Sequence, residues 1–202
     1  MKKMKKLLIC FAFSLIGYLG YSQVSFGIKS GINIATTKDL IAYPKNRIGW
    51  YAGGIVKIHL KKKIFLQPEI IFSTQGDRST NQVGLSNIAL RLNYIKVPVL
   101  LCYKIDNRTF LFIGPELGYL ASAHLAHLGN EIINVSKNYS SKFDAGLDIG
   151  LNYKLIKDLI IESRYNYGFK TLYSVDDTGN RNSQINGANR VFQIGFSYIF
   201  HK

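Results

Sequence analysis

Hydrophobic and polar residues alternate one by one along much of this chain, most regularly between residues 142 and 170. The apolar positions there are Phe143, Ala145, Leu147, Ile149, Leu151 and Tyr153 and, after a turn at residues 155–158, Leu159, Ile161, Tyr165, Tyr167 and Phe169. Successive side chains of a β-strand point to opposite faces of the sheet. The alternation therefore predicts a hairpin of two long strands.

The polar face of this hairpin combines glycines with charged residues. Its members include Gly146, Gly150, Gly168, Lys142, Asp144, Asp148, Glu162, Arg164 and Lys170. Glycine weakens a strand and packs nothing, so a face that merely touched water would not favour it. Glycines beside charged side chains instead indicate a confined polar space, such as the interior of a narrow barrel.

The same alternation recurs along the chain and predicts eight strands. They cover residues 24–35, 48–60, 64–76, 90–104, 109–121, 142–153, 159–170 and 189–200. Long and short connections alternate between them, and a strand of about 12 residues at ~3.3 Å each, tilted by ~40°, spans ~30 Å. We therefore predict an all-β fold, an eight-stranded antiparallel up-and-down transmembrane β-barrel with both termini on the periplasmic side.

Two strands contain irregularities. Pro68 lies inside the third strand, where proline usually marks an edge or a bulge, but the alternation continues on both sides. In the fourth strand the apolar positions Leu90, Leu92 and Tyr94 give way to Ile95 and the odd-numbered residues after it. This change of phase predicts a β-bulge within that strand.

Aromatic residues fall near the predicted strand ends, where outer-membrane barrels carry aromatic girdles. We expect Trp50, Tyr119, Tyr167 and Phe169 near the outer rim and Tyr153, Tyr198 and Phe200 near the periplasmic rim.

The first 22 residues have the pattern of a secretory signal peptide. Four lysines precede an apolar run from Leu7 to Leu19, and small residues occupy the positions that signal peptidase reads before Gln23. We predict a signal peptide over residues 1–22 and one barrel domain over 23–202. Cys10 lies inside the apolar run, so the mature chain would keep only Cys102 and form no intramolecular disulfide.

The chain is basic, and cleavage before Gln23 would lower its formal charge from +14 to +10 because four lysines and no acids leave. With 47% hydrophobic and 19% charged residues it is too apolar for a disordered protein. An exported barrel meets no nucleic acid in the ordinary course. Contact with the phosphates of outer membrane lipids is a sufficient explanation for basic residues at both rims, and solvated loop charge is the alternative.

Nine charged residues are predicted to face the barrel interior. They are Lys29, Lys57, Glu69, Arg91, Glu116, Asp144, Asp148, Glu162 and Arg164. An eight-stranded barrel has an interior that side chains fill, and buried charges must be paired. We therefore interpret the set as a structural ion-pair network, with a solute path or binding site as the alternative.

No motif for catalysis, cofactor binding or metal binding is present. His124 and His127 are three residues apart, but no carboxylate or cysteine stands at ligand spacing. Nothing resembles a nucleophile elbow or a phosphate-binding loop. A Ser-His-Asp arrangement in the outer loops stays open as an alternative, because spatial proximity is not visible in a sequence.

Four stretches resemble the Bacteroidota outer-membrane β-barrel family often called PorT-like. They are residues 65–72 (FLQPEIIF), 92–101 (LNYIKVPVLL), 114–118 (GPELG) and 164–168 (RYNYG). The resemblance covers nearly all of the mature chain. It implies the barrel fold but no particular function. A named member of the family is an accessory of the type IX secretion and gliding apparatus, but no residue here separates that subset from the rest.

The end of the chain also resembles the signal read by the barrel-assembly machinery. Its matching positions are Gln193, Gly195, Tyr198 and Phe200, although His201 and Lys202 follow the terminal aromatic. The resemblance implies the assembly machinery as a partner during biogenesis.

Three classes of function follow from these observations. The first is a non-enzymatic, structural or accessory barrel in the cell surface or in protein secretion, with surface or secretion proteins as partners. The second is a small channel or solute-binding barrel of porin type. The third is a soluble secreted carrier of lipocalin type, in which the apolar faces would turn inward.

Overall fold

The computed structural model describes residues 24–37, 44–79, 88–127, 132–136, 142–169 and 189–200. These residues form nine strands: β1 (Val24–Thr37), β2 (Pro44–Lys61), β3 (Ile64–Ser79), β4 (Ile88–Lys104), β5 (Thr109–His127), β6 (Ile132–Asn134), β7 (Phe143–Lys154), β8 (Leu159–Gly168) and β9 (Asn189–Phe200). The predicted signal peptide and the predicted loop from Thr171 to Ala188 lie outside the described residues.

The strands close into a barrel. Each long strand pairs antiparallel with its neighbours in the order β4-β3-β2-β1-β9-β8-β7-β5, and pairing of β4 with β5 completes the ring. The first and last strands meet along a register that runs from Phe26 opposite Phe200 to Thr37 opposite Asn189. Eight strands thus form the wall, and this confirms the predicted fold class.

Large apolar side chains cover the outside of the barrel. Along β1, Phe26 and Ile28 are 56% and 55% exposed, whereas the intervening Lys29 is only 3% exposed. The same inversion holds on β9, where Phe192 to Phe200 point outward and Gln193 to Ile199 point inward at alternate positions. A soluble carrier needs the opposite orientation, so that alternative is wrong.

Aromatic pairs lie at both ends of the apolar surface. Near the end with the long connections, Trp50 contacts Phe72 and Tyr119 contacts Phe143, each with ring centroids 5.4 Å apart. At the other end, the rings of Tyr198 and Phe200 meet at 5.6 Å. These positions match aromatic girdles at the two membrane interfaces.

The predicted bulge in β4 is wrong, because the extra residue belongs to β5. Asn93 pairs with Ser122, but the next residue, Tyr94, pairs with Leu120, so Ala121 is left over. Strand β4 keeps one phase throughout, and Leu90, Leu92 and Tyr94 point into the barrel rather than to lipid. They pack there on Leu120 and Ala123.

The β4–β5 hairpin is longer than predicted. Strand β5 continues to His127 instead of ending at Ala121, and the short β6 returns along it, with Leu125 opposite Ile133. Residues 122–127 of the predicted loop Ser122–Ser141 are therefore strand. Pro68 stays inside β3 opposite Val99 of β4, as the uninterrupted alternation around it predicts.

Apolar clusters fill the interior at both ends. At the long-loop end lies the cluster around Leu92 and Tyr94, and at the short-turn end lie two others. One contains Phe65, Leu100, Cys102 and Phe112, and the other contains Ile55, Ile160 and Ile199. The polar middle of the barrel is therefore enclosed by apolar side chains.

The short turns are held by local hydrogen bonds. Asp106 accepts the backbone N–H groups of Arg108 and Thr109 at 2.7 and 2.8 Å. These backbone hydrogen bonds lower the pKa of Asp106 below its usual value.

Among the described residues, no helix is long and apolar enough to cross a membrane.

Candidate functional site

The middle of the barrel holds a compact cluster of ion pairs. Lys29 Nζ lies 2.7 Å from Glu162 Oε1 and 3.1 Å from Glu69 Oε2. The guanidinium of Arg164 contacts Glu69 at 2.8 Å, Asp148 at 3.0 Å and Glu162 at 3.3 Å. Both cations thus share the two glutamates, and we call these five residues the central network.

Hydrogen bonds extend the central network toward the long-loop end. Asn166 Nδ2 donates to Asp148 Oδ1 at 2.6 Å and to Glu116 Oε1 at 2.9 Å. Glu116 Oε1 in turn pairs with Lys96 Nζ at 2.6 Å. Gln67 Nε2 donates to Glu69 Oε1 at 2.7 Å on the other side. Polar partners thus connect the charges of six strands, β1, β3, β4, β5, β7 and β8.

The nine residues predicted to face the interior fall into three groups. Seven of them join the arrangement above or lie beside it: Lys29, Glu69, Glu116, Asp144, Asp148, Glu162 and Arg164. Of these, Asp144 is held by Asn189 Nδ2 at 3.0 Å. Lys57 is buried but lies apart, at the short-turn end, with its Nζ 5.2 Å from the ring centre of Phe65.

The placement of Arg91 in the interior is wrong. Arg91 is exposed, because its neighbours Leu90 and Leu92 occupy the inward positions of β4. It lies opposite His124 on the outer face of the β4–β5 hairpin. There it lines an outward-facing groove of about 590 Å³ together with Arg47 and Trp50.

Sequence reasoning missed Lys96 as an interior charge. With a bulge assumed in β4, the assignment of its two faces relied on the apolar residues, and Lys96 was left out. Lys96 nevertheless alternates with Ile95 and Val97 and therefore faces away from lipid. Gln67 and Asn166 were also missed as members of the network, because an amide gives no charge signal. Which carboxylate each amide meets depends on closure of the barrel.

The central network is sealed from water. All five of its side chains have a relative exposure of 0%. Apolar clusters lie above and below it, so its charges sit in a medium of low effective dielectric constant. Buried charges are tolerated there only because each has partners in good geometry. The central network therefore has no solvent-exposed side-chain surface at the middle of the barrel.

Gly150 makes room for this network. A Cβ at Gly150 would overlap the ring of Phe112 and the carbonyl oxygen of Ser163. The guanidinium of Arg164 lies over the same ring at 5.1 Å, so displacement of Phe112 would disturb the ion pairs. Gly54, in contrast, has no heavy atom nearer than 3.9 Å to the position of an added Cβ.

We expect Gly150→Ala to destabilise the barrel by about 1–3 kcal/mol, because the added methyl group overpacks the interior. Gly54→Ala is the control and should change stability by less than about 0.5 kcal/mol. Urea unfolding of both variants in lipid vesicles measures the difference. Equal stability of the two variants would contradict the close packing at Gly150.

The four residues of the predicted assembly signal lie on both faces of β9. Gln193 points inward, and its Nε2 donates to Asn33 Oδ1 at 2.7 Å. Gly195 also points inward, opposite Gly31, whereas Tyr198 and Phe200 are 44% and 49% exposed on the outside. The two outward aromatics are therefore accessible to another protein or to lipid.

Among the residues that the structure describes, no group of three or more His, Cys, Asp or Glu side chains could hold a metal ion. His124 lies on the outer groove, and the side chain of His127 lies outside the described part. The central network itself offers no open position for a substrate, because its five side chains are fully enclosed.

A closed eight-stranded wall with apolar side chains outside and paired charges inside defines an outer-membrane β-barrel. A family model described as "Outer membrane protein beta-barrel domain" matches residues 16–174. The chain therefore belongs to this family of outer membrane proteins, and the outer membrane is its location. A search of curated proteins found no match.

Solved structures with the same fold include two bacterial proteins. Neisserial surface protein A superposes with a TM-score of 0.60 at 12% identity, over 88% of this chain and 99% of that chain. Ail, the attachment invasion locus protein of Yersinia pestis, gives a TM-score of 0.52 at 14% identity, over 88% and 99% of the two chains. At these identities the similarity establishes the fold alone.

Proposed function

We propose that this protein is a closed, non-enzymatic barrel that serves as a structural or accessory component of the cell surface or of protein secretion. The observation that carries the proposal is the central network, whose side chains have no exposed surface. A barrel closed at its middle cannot pass solutes in this conformation. Its function would then lie at its two rims, where loops and turns meet other molecules.

The outer rim supports this proposal. The β4–β5 hairpin and β6 extend beyond the aromatic pairs and present apolar side chains, with Ile132 62% and Ile133 46% exposed. The groove beside them carries Arg47 and Arg91 with no acidic residue among its described lining. Anionic lipid headgroups or an acidic partner protein would complement this surface.

A conductance measurement tests the closed barrel. We expect the purified protein in planar lipid bilayers to give no unitary conductance steps, because the central network and the apolar clusters block the interior. Steps of constant size that persist in the wild type would contradict the proposal and favour the channel alternative.

Co-purification from native outer membranes tests the accessory role. We expect surface or secretion proteins to be recovered with the tagged wild type in mild detergent. The recovery should fall for the double variant Ile132→Asp, Ile133→Asp, which keeps the barrel wall but adds charge at the extension. The variant Lys62→Met, at a short turn, is the control for the opposite rim. Absence of such proteins with the wild type would count against the accessory role, including a PorT-like role in type IX secretion.

We also propose that residues 1–22 are removed on export and that the barrel-assembly machinery reads the end of β9. If residues 1–22 are removed, the intact mass of the protein corresponds to a chain that starts at Gln23.

If the assembly machinery reads the end of β9, Phe200→Ser should lower the amount of heat-modifiable barrel in the outer membrane.

A further inference from the structure

The short-turn end of the barrel interior contains a cavity lined by basic side chains. Lys57, His59, Lys154 and Lys157 line it, and its volume is about 120 Å³. No Asp or Glu belongs to the described lining. This volume is several times the roughly 15 Å³ that one water molecule needs. The cavity can therefore hold a small polyatomic ion.

Lys57 has an unusual position among the buried cations of the described residues. Lys29, Lys96 and Arg164 each form ion pairs with interior carboxylates. Lys57 is only 8% exposed, yet the ion pairs of the described interior link its carboxylates to Lys29, Lys96 and Arg164 and not to Lys57. The carboxylates of the central network already bond to Lys29 and Arg164.

Aromatic rings orient the Lys57 ammonium without neutralising it. Its Nζ lies 5.2 Å from the ring centre of Phe65 and 5.8 Å from that of Phe110, and both rings line the cavity. Cation–π contacts of this kind replace only part of the hydration that burial removes. A desolvated ammonium still requires a counter-charge, but no Asp or Glu is part of the described lining of the cavity in front of it, which consists of basic residues, Ser25 and apolar side chains.

We propose that this cavity is a binding site for one small oxyanion, a phosphate or carboxylate group. Lys57 is its buried anchor, and Lys154 and Lys157 contact the anion from the mouth. Short turns of outer-membrane barrels face the periplasm, so the site opens to periplasmic solutes. The site is independent of the proposed accessory role, since it requires neither a partner nor conduction.

Titration with inorganic phosphate tests this site. The purified full-length mature barrel in a zwitterionic detergent is titrated at constant ionic strength, and binding is followed by phosphorus NMR and by the thermal unfolding midpoint. We expect saturable binding and a higher midpoint with phosphate. Lys57→Met, which keeps the aliphatic stem, should weaken binding about tenfold or more because it removes the charged donor.

Lys62→Met is the matched control, since Lys62 is an exposed lysine at the same end that does not line the cavity. It should bind phosphate within about twofold of the wild type, as expected for an exposed charge screened by salt. Equal binding by the Lys57 variant, or an equal loss in the Lys62 variant, would overturn the site in favour of diffuse attraction.

Acetate at the same ionic strength distinguishes the two oxyanions. Competition by acetate assigns a carboxylate-compatible site, and its failure to compete assigns a phosphate site. No saturable binding of either anion to the wild type would overturn the proposal. If Lys57→Met loses the mobility shift between unboiled and boiled samples that marks a folded barrel, Lys154→Met is judged by the same criteria.

Discussion

Replacing Arg164 by leucine should destabilise the barrel by about 3–5 kcal/mol, the largest effect that we expect from any single substitution in the interior. Arg164 contacts Glu69, Asp148 and Glu162 at 2.8–3.3 Å. Without it, three buried carboxylates would face one another, and only Lys29 would remain to balance two of them. The loss of stability is large because the three carboxylates stay buried without the cation that compensates their desolvation.

Arg91→Leu is the control for this experiment. Arg91 is exposed on the outer face, so its replacement should change stability by less than about 0.5 kcal/mol. Urea unfolding in lipid vesicles, monitored by the fluorescence of Trp50, compares the two variants. Similar stabilities would mean that Arg164 does not hold the interior together.

A double variant separates the ion pairs from simple packing. Arg164→Leu combined with Glu69→Gln removes one of the stranded charges, so it should recover part of the stability lost in the single variant. Additive losses would show that the two residues do not interact.

Replacing Ile113 by arginine should cost about 2–4 kcal/mol, because it places a charge near the middle of the lipid-facing band. Ile113 is 46% exposed and lies opposite Ile149 of β7 and Leu101 of β4, which are also outward and apolar. In the hydrocarbon region of a bilayer the guanidinium would have no polar partner. The folded fraction is measured by the mobility difference between unboiled and boiled samples.

Leu60→Arg is the matched control at the short-turn rim. Leu60 is 54% exposed and precedes Lys61, at the end of β2. A charge at that depth should cost only about 0–1 kcal/mol. Equal effects at the two positions would contradict the depth dependence that a membrane imposes on the outer face.

The strands were predictable because their signal is local. Alternation along residues 189–200 predicted β9 with its observed bounds, and the short turn before Leu159 needed only the adjacent residues. The assignment of side chains to the inner and outer faces was wrong where the inward face of one strand changes from apolar to charged. In β4 the inward positions are apolar near Leu92 and charged at Lys96, so hydrophobicity alone did not indicate which way each residue points.

The interior partners could not be predicted from the sequence. Lys29 and Glu162 are 133 positions apart, and Arg164 and Glu69 are 95 apart. Residues at such separations meet only after the ring of strands has closed. The bulge at Ala121 has the same origin, since it depends on how β5 aligns with β4.

The sequence by itself therefore determined the strands, their number in the wall and the side of most residues, because period-two alternation is a property of neighbouring positions. The tertiary structure decided which charges pair and that Arg91 lies outside. It also showed that apolar clusters seal the network and that Lys57 is left facing a basic cavity. These features depend on distances across the barrel, which only the closed ring of strands sets.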